Sequence, residues 1–252
     1  MPKGRLAELS LTGLKHAQAL DSPSVEATAA RLYEWNRMPA SAWRRVAAEP
    51  TLLAARATDA AGSAWVLTLP GPPVSPWCVW RSRVNPIEPG GRHWKVYVSP
   101  QPLQLAEGVV AVMAACEGLP VISLKYGADA HGMLRPDKLV VHLRAPEAVH
   151  VLADRVLRAL GGCPVHGVPY TAELGGDGLI SWGCDPPAGS LAAELGPSWR
   201  TWVTRLLAQG LAAERRPGAE PWERSLCEIE RAGVDPSTWA PKPWLWANAD
   251  AA

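Results

Sequence analysis

The octapeptide His93-Trp94-Lys95-Val96-Tyr97-Val98-Ser99-Pro100 alternates apolar and polar residues with a period of two. No other feature constrains the fold as strongly, because successive side chains of a strand point to opposite faces of a sheet. Trp94, Val96 and Val98 share one face; Lys95, Tyr97 and Ser99 share the other. Three later segments repeat the pattern. In 121–126, Ile122 and Leu124 oppose Ser123 and Lys125; in 138–143, Leu139, Val141 and Leu143 oppose Lys138, Val140 and His142. Over 179–183, Ser181 lies opposite Ile180 and Trp182. The four strands predict a sheet with one apolar face and one that collects lysines, Tyr97, His142 and serines.

Between these strands the period changes to that of a helix. Residues 103–117 place Leu105, Val109, Val112, Met113 and Cys116 on one stripe, and a second helix opening at Pro146 does the same with Val149, Leu152, Val156 and Leu160 before Gly161-Gly162 ends it. The order β-α-β-β-α-β predicts an α+β fold, a split βαβ (ferredoxin-like) antiparallel sheet with helices on one face. Residues 1–90 read as an N-terminal helical and β region packing on that core. It holds a helix capped at Ser22 with Pro23 in its first turn, a short helix around Trp43, strands at 64–69 and 76–84, and a turn-rich linker at 86–91. Residues 91–252 form the core with C-terminal helices over 195–213 and 222–232 and a Trp- and Pro-rich tail.

Charge narrows the partners. Lys and Arg total 25 against 24 Asp and Glu, a net charge of +1, so bulk nucleic-acid or anionic-membrane binding is not expected and any anion site must be a local cluster. The five cysteines are odd in number and form no C-x-x-C pair, which suggests neither a zinc site nor a disulfide framework; no metal is expected. No signal-peptide core and no run of membrane-spanning length is present, so the expected location is cytoplasmic.

The polar face therefore carries the functional reading. An antiparallel sheet often has one solvated face, but such a face mixes its signs, and this one shows cations and hydroxyls without a carboxylate. Arg135 precedes the third strand, and Arg81 and Arg83 extend the cluster if the N-terminal strands fold beside it. Such a group suits a phosphate, and a lysine held among cations has a depressed pKa and acts as a base. Other features read as structural. The glycines at 175–178 form a turn, Ser181-Trp182-Gly183 lacks the first glycine of a nucleophile elbow, Asp185 sits in a loop, and His93, His131, His150 and His166 are surface or loop residues.

Trp94-Lys95-Val96-Tyr97-Val98-Ser99, Leu124-Lys125-Tyr126, Arg135-x-Asp137-Lys138, Pro169-Tyr170 and Trp182-Gly183 occur in an order that resembles the lyase domains of lanthionine synthetases and the phosphothreonine lyases. The Arg-x-Asp and the tyrosine at position 97 resemble more closely the HopA-type effector family, which includes the lyases of class V lanthipeptide and thioamitide pathways. The resemblance covers residues 92–187. It implies β-elimination of phosphate from phosphoserine or phosphothreonine in a phosphorylated precursor peptide, after a separate Ser/Thr peptide kinase and before a cyclase, with no cofactor. Residue by residue it implies Lys125 as base and Lys95, Arg135 and Lys138 as phosphate ligands. The general acid of the lanthionine synthetases, a histidine, falls on Tyr97, whose pKa neighbouring lysines would lower; His142 is the other candidate acid. A non-catalytic phosphopeptide- or leader-binding partner is the alternative.

Overall fold

A computed structural model describes residues 2–20, 22, 24–42, 49–85, 93–186, 198–213, 218 and 220–247. Pro23, Trp43 and the linker at 86–91 lie outside them.

Seven strands form one antiparallel sheet: β1 (Trp65–Pro70), β2 (Trp77–Ser82), β3 (Trp94–Val98), β4 (Val121–Gly127), β5 (Leu139–Leu143), β6 (Ala172–Leu174) and β7 (Ile180–Cys184), in the order β1-β2-β4-β5-β3-β7-β6. The four strands read from alternation are adjacent, β4-β5-β3-β7. Because β2 pairs with β4, the sheet runs without a break into the N-terminal region.

The apolar residues share one face, as period two requires. Trp80, Leu124, Val141, Val96 and Trp182 stand opposite one another across five strands. Helices α4 (Leu105–Ala115) and α6 (Glu147–Ala159) pack there, with Val109, Val112, Leu152 and Val156 fully buried. Gly108 lets α4 approach: a Cβ there would stand 3.9 Å from Leu139 and 3.3 Å from the Pro100 ring. A third helix, α3 (Glu49–Ala61), packs against α4.

The other face is covered too, which corrects the expectation of helices on one face. The first helix, α1 (Arg5–Gln18), is a full 14-residue helix packed against β6, and the Ser10 hydroxyl accepts from the Tyr170 N–H at 2.7 Å. Helix α2 (Val25–Tyr33) starts at Ser24, whose side chain accepts from the Ala27 N–H, rather than at Ser22, and ends before Asn36, which adopts a left-handed conformation. The short helix α5 (Ala130–Met133) follows β4. There Gly127 and Gly132 meet backbone to backbone, and a Cβ on Gly127 would lie 2.3 Å from the Gly132 carbonyl carbon.

Helix α7 (Trp199–Ala212) is capped by Ser198 and packs on α2 and on α8 (Pro221–Arg231). A last short helix, α9 (Pro243–Ala247), ends the described chain. The first turn of α7 comes down onto the sheet because Gly183 has no side chain: a Cβ there would lie 2.5 Å from the Trp199 ring. The bulky residue that docks α7 and the glycine that admits it are 16 positions apart and unrelated by any sequence period. Among the described residues no helix is long and apolar enough to cross a membrane.

Candidate active site

Two cross-strand rows build the polar face. Val79, Lys125, Val140, Tyr97 and Ser181 form one row from β2 to β7; Arg81, Ser123, His142, Lys95 and Gly183 form the next. Directly opposed residues have Cβ atoms about 4.5–5.5 Å apart, so Lys125, Tyr97, His142 and Lys95 must share one patch. Covered by α2 and the start of α7, that patch closes into a cavity of about 30 Å³. Its walls include Lys95, Tyr97, Lys125 and His142 from the sheet, Tyr33 from α2, Asp137, and Ser198.

Three of these walls end in polar groups with no hydrogen-bond partner among the described residues. They are the Lys125 ammonium nitrogen, the Tyr97 hydroxyl and the His142 Nε2; the His142 Nδ1 is held by the Ser123 hydroxyl at 3.0 Å. Lys125 has only the face of Trp77, 4.7 Å from the ring centre. Unpaired within the protein but still open to the cavity, the three tips are available to whatever enters it.

The electrostatics assign their protonation. Burial lowers the Lys125 pKa; Asp137 opposes the shift, and Lys95 and Arg135 reinforce it. Burial, with Lys125 and Lys95 beside it, holds His142 well below its ordinary value, so its imidazole is neutral. Tyr97 is 3% exposed, and burial pushes its phenol well above the ordinary value. The expected lowering of that pKa by lysines is not found: desolvation outweighs Arg200, the cation that opposes it, and the hydroxyl keeps its proton.

The expected phosphate ligands are placed differently from one another. Lys95 reaches the cavity and is ion-paired with Asp185, which also accepts from the His93 N–H at 3.0 Å. Arg135 sits outside the cavity wall. It donates to Asp137 through Nε at 2.9 Å and to the Tyr33 hydroxyl through Nη2 at 2.8 Å, and stacks on the Trp77 and Tyr33 rings. Lys138 shares the face but is fully buried and turned away, donating to the Pro100 carbonyl at 3.0 Å and to His166 Nδ1 at 2.7 Å; burial lowers its pKa to about 7. Arg81 lies on the same face but is exposed.

Four residues that sequence reasoning missed hold the site together. Asp185 does lie in the loop after β7, but it is a buried ion-pair partner there. His166 is buried, donating to the Asn36 carbonyl at 2.6 Å, and its pKa falls to about 3 through burial and then Lys138. Arg200, 1% exposed, pairs with Asp137 at 2.9 Å and stacks on Tyr33. Tyr33 donates its hydroxyl proton to Asp137 at 2.9 Å, and burial and then Asp137 raise its pKa to about 12. Burial alone would raise the Asp137 pKa, but Arg200 and Arg135 hold it well below the usual carboxylate range. The face read as free of carboxylates therefore has two, supplied from just before β5 and just after β7. Among the described residues no group of three or more His, Cys, Asp or Glu forms a metal-ligand set.

Fold and site together define a class: an α+β protein whose seven-stranded antiparallel sheet carries a buried, lysine-lined cavity on one face. Among solved structures the fold is similar to the effector protein from Pseudomonas syringae pv. tomato strain DC3000, with a TM-score of 0.66 and 11% identity, covering 94% of this chain and 98% of that one. It is similar also to the effector protein from Pseudomonas syringae pv. syringae strain 61, with a TM-score of 0.63 and 12% identity, covering 96% and 99%. A phosphothreonine lyase matches at a TM-score of 0.38 and 8% identity over 81% of this chain and 98% of that one, a likeness too slight to argue from. No protein-family model and no curated protein matches the sequence.

Proposed function

We propose that the protein is a lyase that eliminates phosphate from phosphoserine or phosphothreonine in a peptide. The observation that carries this reading is the set of three unpaired polar tips, Lys125 Nζ, Tyr97 Oη and His142 Nε2, around one cavity beside Lys95. Neutral Lys125 takes the Cα proton, the C–H electron pair becomes the Cα=Cβ double bond, and the Cβ–O bond breaks with its pair on the departing phosphate. Lys95 takes up the charge of the leaving dianion in the cavity, Arg135 supports it from outside the wall, and Tyr97, kept protonated, donates a hydrogen bond to it. His142, held neutral, serves as a hydrogen-bonding wall rather than as an acid.

The cavity as it stands has room for water but not for a phosphorylated side chain. Substrate entry therefore requires Lys95 to exchange the Asp185 carboxylate for a phosphate oxygen. The substrate we propose is a precursor peptide of a lanthipeptide- or thioamitide-like pathway, phosphorylated by a separate kinase and passed to a cyclase. That part rests on the sequence resemblance alone. The two solved effectors agree in fold with the effector branch of the same resemblance.

The test is incubation of the purified protein with a phosphoserine- or phosphothreonine-containing peptide. The expected product has lost the elements of phosphoric acid by mass spectrometry and reacts with added thiol. An unchanged peptide sinks the lyase reading. Retained peptide binding without elimination favours the non-catalytic phosphopeptide binder instead.

A further inference from the structure

We propose that the first turn of α7 is the anion-binding element of the cavity, with the backbone N–H groups of Trp199 and Arg200 and the Ser198 hydroxyl holding the phosphate against Lys95. The inference deepens the lyase reading and rests on it for the identity of the anion.

Three contacts fix the position of that turn. Ser198 lines the cavity; Trp199 lies over Gly183, the cross-strand neighbour of Lys95; and Arg200 pairs with Asp137 and stacks on Tyr33, both of which line the cavity. The first N–H groups of a helix have no partner within it, and the helix dipole makes its N-terminus attractive to anions. In α7 the Thr201 N–H is taken by the Ser198 hydroxyl oxygen and the Trp202 N–H by the Ser198 carbonyl, while those of Trp199 and Arg200 bond to nothing among the described residues.

A second observation points to a ligand at this spot independently of the helix. Tyr97, 3% exposed, lines the same cavity, and its hydroxyl has no partner among the described residues. Tyr97 on the floor and the helix start on the roof leave donors on both sides of one space, with Lys95 at its edge. The carboxylates do not spoil it: Asp137 is matched by Arg135 and Arg200, and Asp185, once it yields Lys95 to the phosphate, keeps the His93 N–H at 3.0 Å.

Ser198→Asp and Ser198→Asn test this, because both residues cap helices as well as serine does and differ in charge. The full-length protein and both variants are titrated with inorganic phosphate by calorimetry, with thermal melting as the check on folding. We expect Ser198→Asp to weaken phosphate at least tenfold and Ser198→Asn to stay within about threefold of the parent, with all three melting alike. Equal phosphate affinity in the two variants overturns the proposal, as does a parent protein that does not bind phosphate at millimolar concentration. If Ser198→Asp melts early, the phosphate affinity of Tyr97→Phe decides: a several-fold loss supports the site, and no change overturns it. Phosphate binding with the expected Ser198→Asp loss, but no elimination from a phosphopeptide, leaves this proposal standing while the lyase reading falls.

Discussion

The two faces of the sheet are both covered by helices, yet the layers are held in different ways. On the apolar face α4 and α6 bury Val109, Val112, Leu152 and Val156 in one core with Val96, Leu124 and Val141, a contact that is non-directional. On the polar face α2 and α7 also bury apolar residues, Leu32, Trp199 and Val203 among them, but beside the cavity they are fixed by directed contacts, Arg200 to Asp137, Arg200 to the Tyr33 carbonyl and Trp199 to the Tyr170 carbonyl. Directed contacts set a spacing without filling it. The cavity is the space they leave, and the lesson is that a reactive site is obtained by holding a layer at a distance rather than by packing it down.

The sharpest way to break that comparison uses two neighbours in the chain that face opposite ways. Lys125→Ala is expected to lower elimination by about 10²–10⁴-fold, the usual contribution of a general base, with melting little changed. Leu124→Ala, one residue earlier and fully buried, is expected to cost about 2–5 kcal/mol in denaturant unfolding while the folded fraction keeps its turnover per molecule. If Leu124→Ala abolishes the chemistry of folded molecules, or Lys125→Ala unfolds the protein, the division of labour between the faces is wrong.

A smaller effect separates Lys125 from Lys138. Lys138 has a folded pKa of about 7 against an ordinary 10.5. Between those values the unfolded chain holds a proton that the folded chain does not, so stability rises with pH across the window, by up to about 1.4 kcal/mol per unit. Below pH 7 both states are protonated and the full cost of the buried charge stands. Lys138→Met is expected to flatten that rise in urea titrations between pH 7 and 10; an unaltered slope would show that the lysine is not buried as described. Smallest of all, Ser123→Ala frees His142 Nδ1 and should cost about 1 kcal/mol, read as a minor loss of stability with the base limb of the pH–rate profile unmoved.

Alternation exposed the sheet because a period of two is a local property. It placed Lys95, Tyr97, Lys125 and His142 on one face, and the register sets them in two adjoining rows. What alternation says nothing about is the cover. Tyr33 and Arg200 come from helices on either side of the alternating core, and nothing in their own periodicity marks them as neighbours of Asp137. Asp185 stands one residue beyond a strand end, where the pattern has already stopped. Lys138 shows the limit from inside the pattern: its face was legible, but lying at the start of β5 it reaches Pro100 and His166 rather than the cavity. Tyr97 shows another, since the sign of its pKa shift depends on burial, which a strand pattern does not report.

Gly127 and Gly132 close the loop between β4 and β5, touching through bare backbone. Lys125 stands two residues before the first and Arg135 three after the second, so this contact sets the distance between the two cations that flank Trp77. A saturation scan scored by turnover should therefore find both glycines as intolerant as Lys125 itself, down to alanine. A survey of that kind would list as essential two positions that have no functional group, and their contribution would be length rather than chemistry.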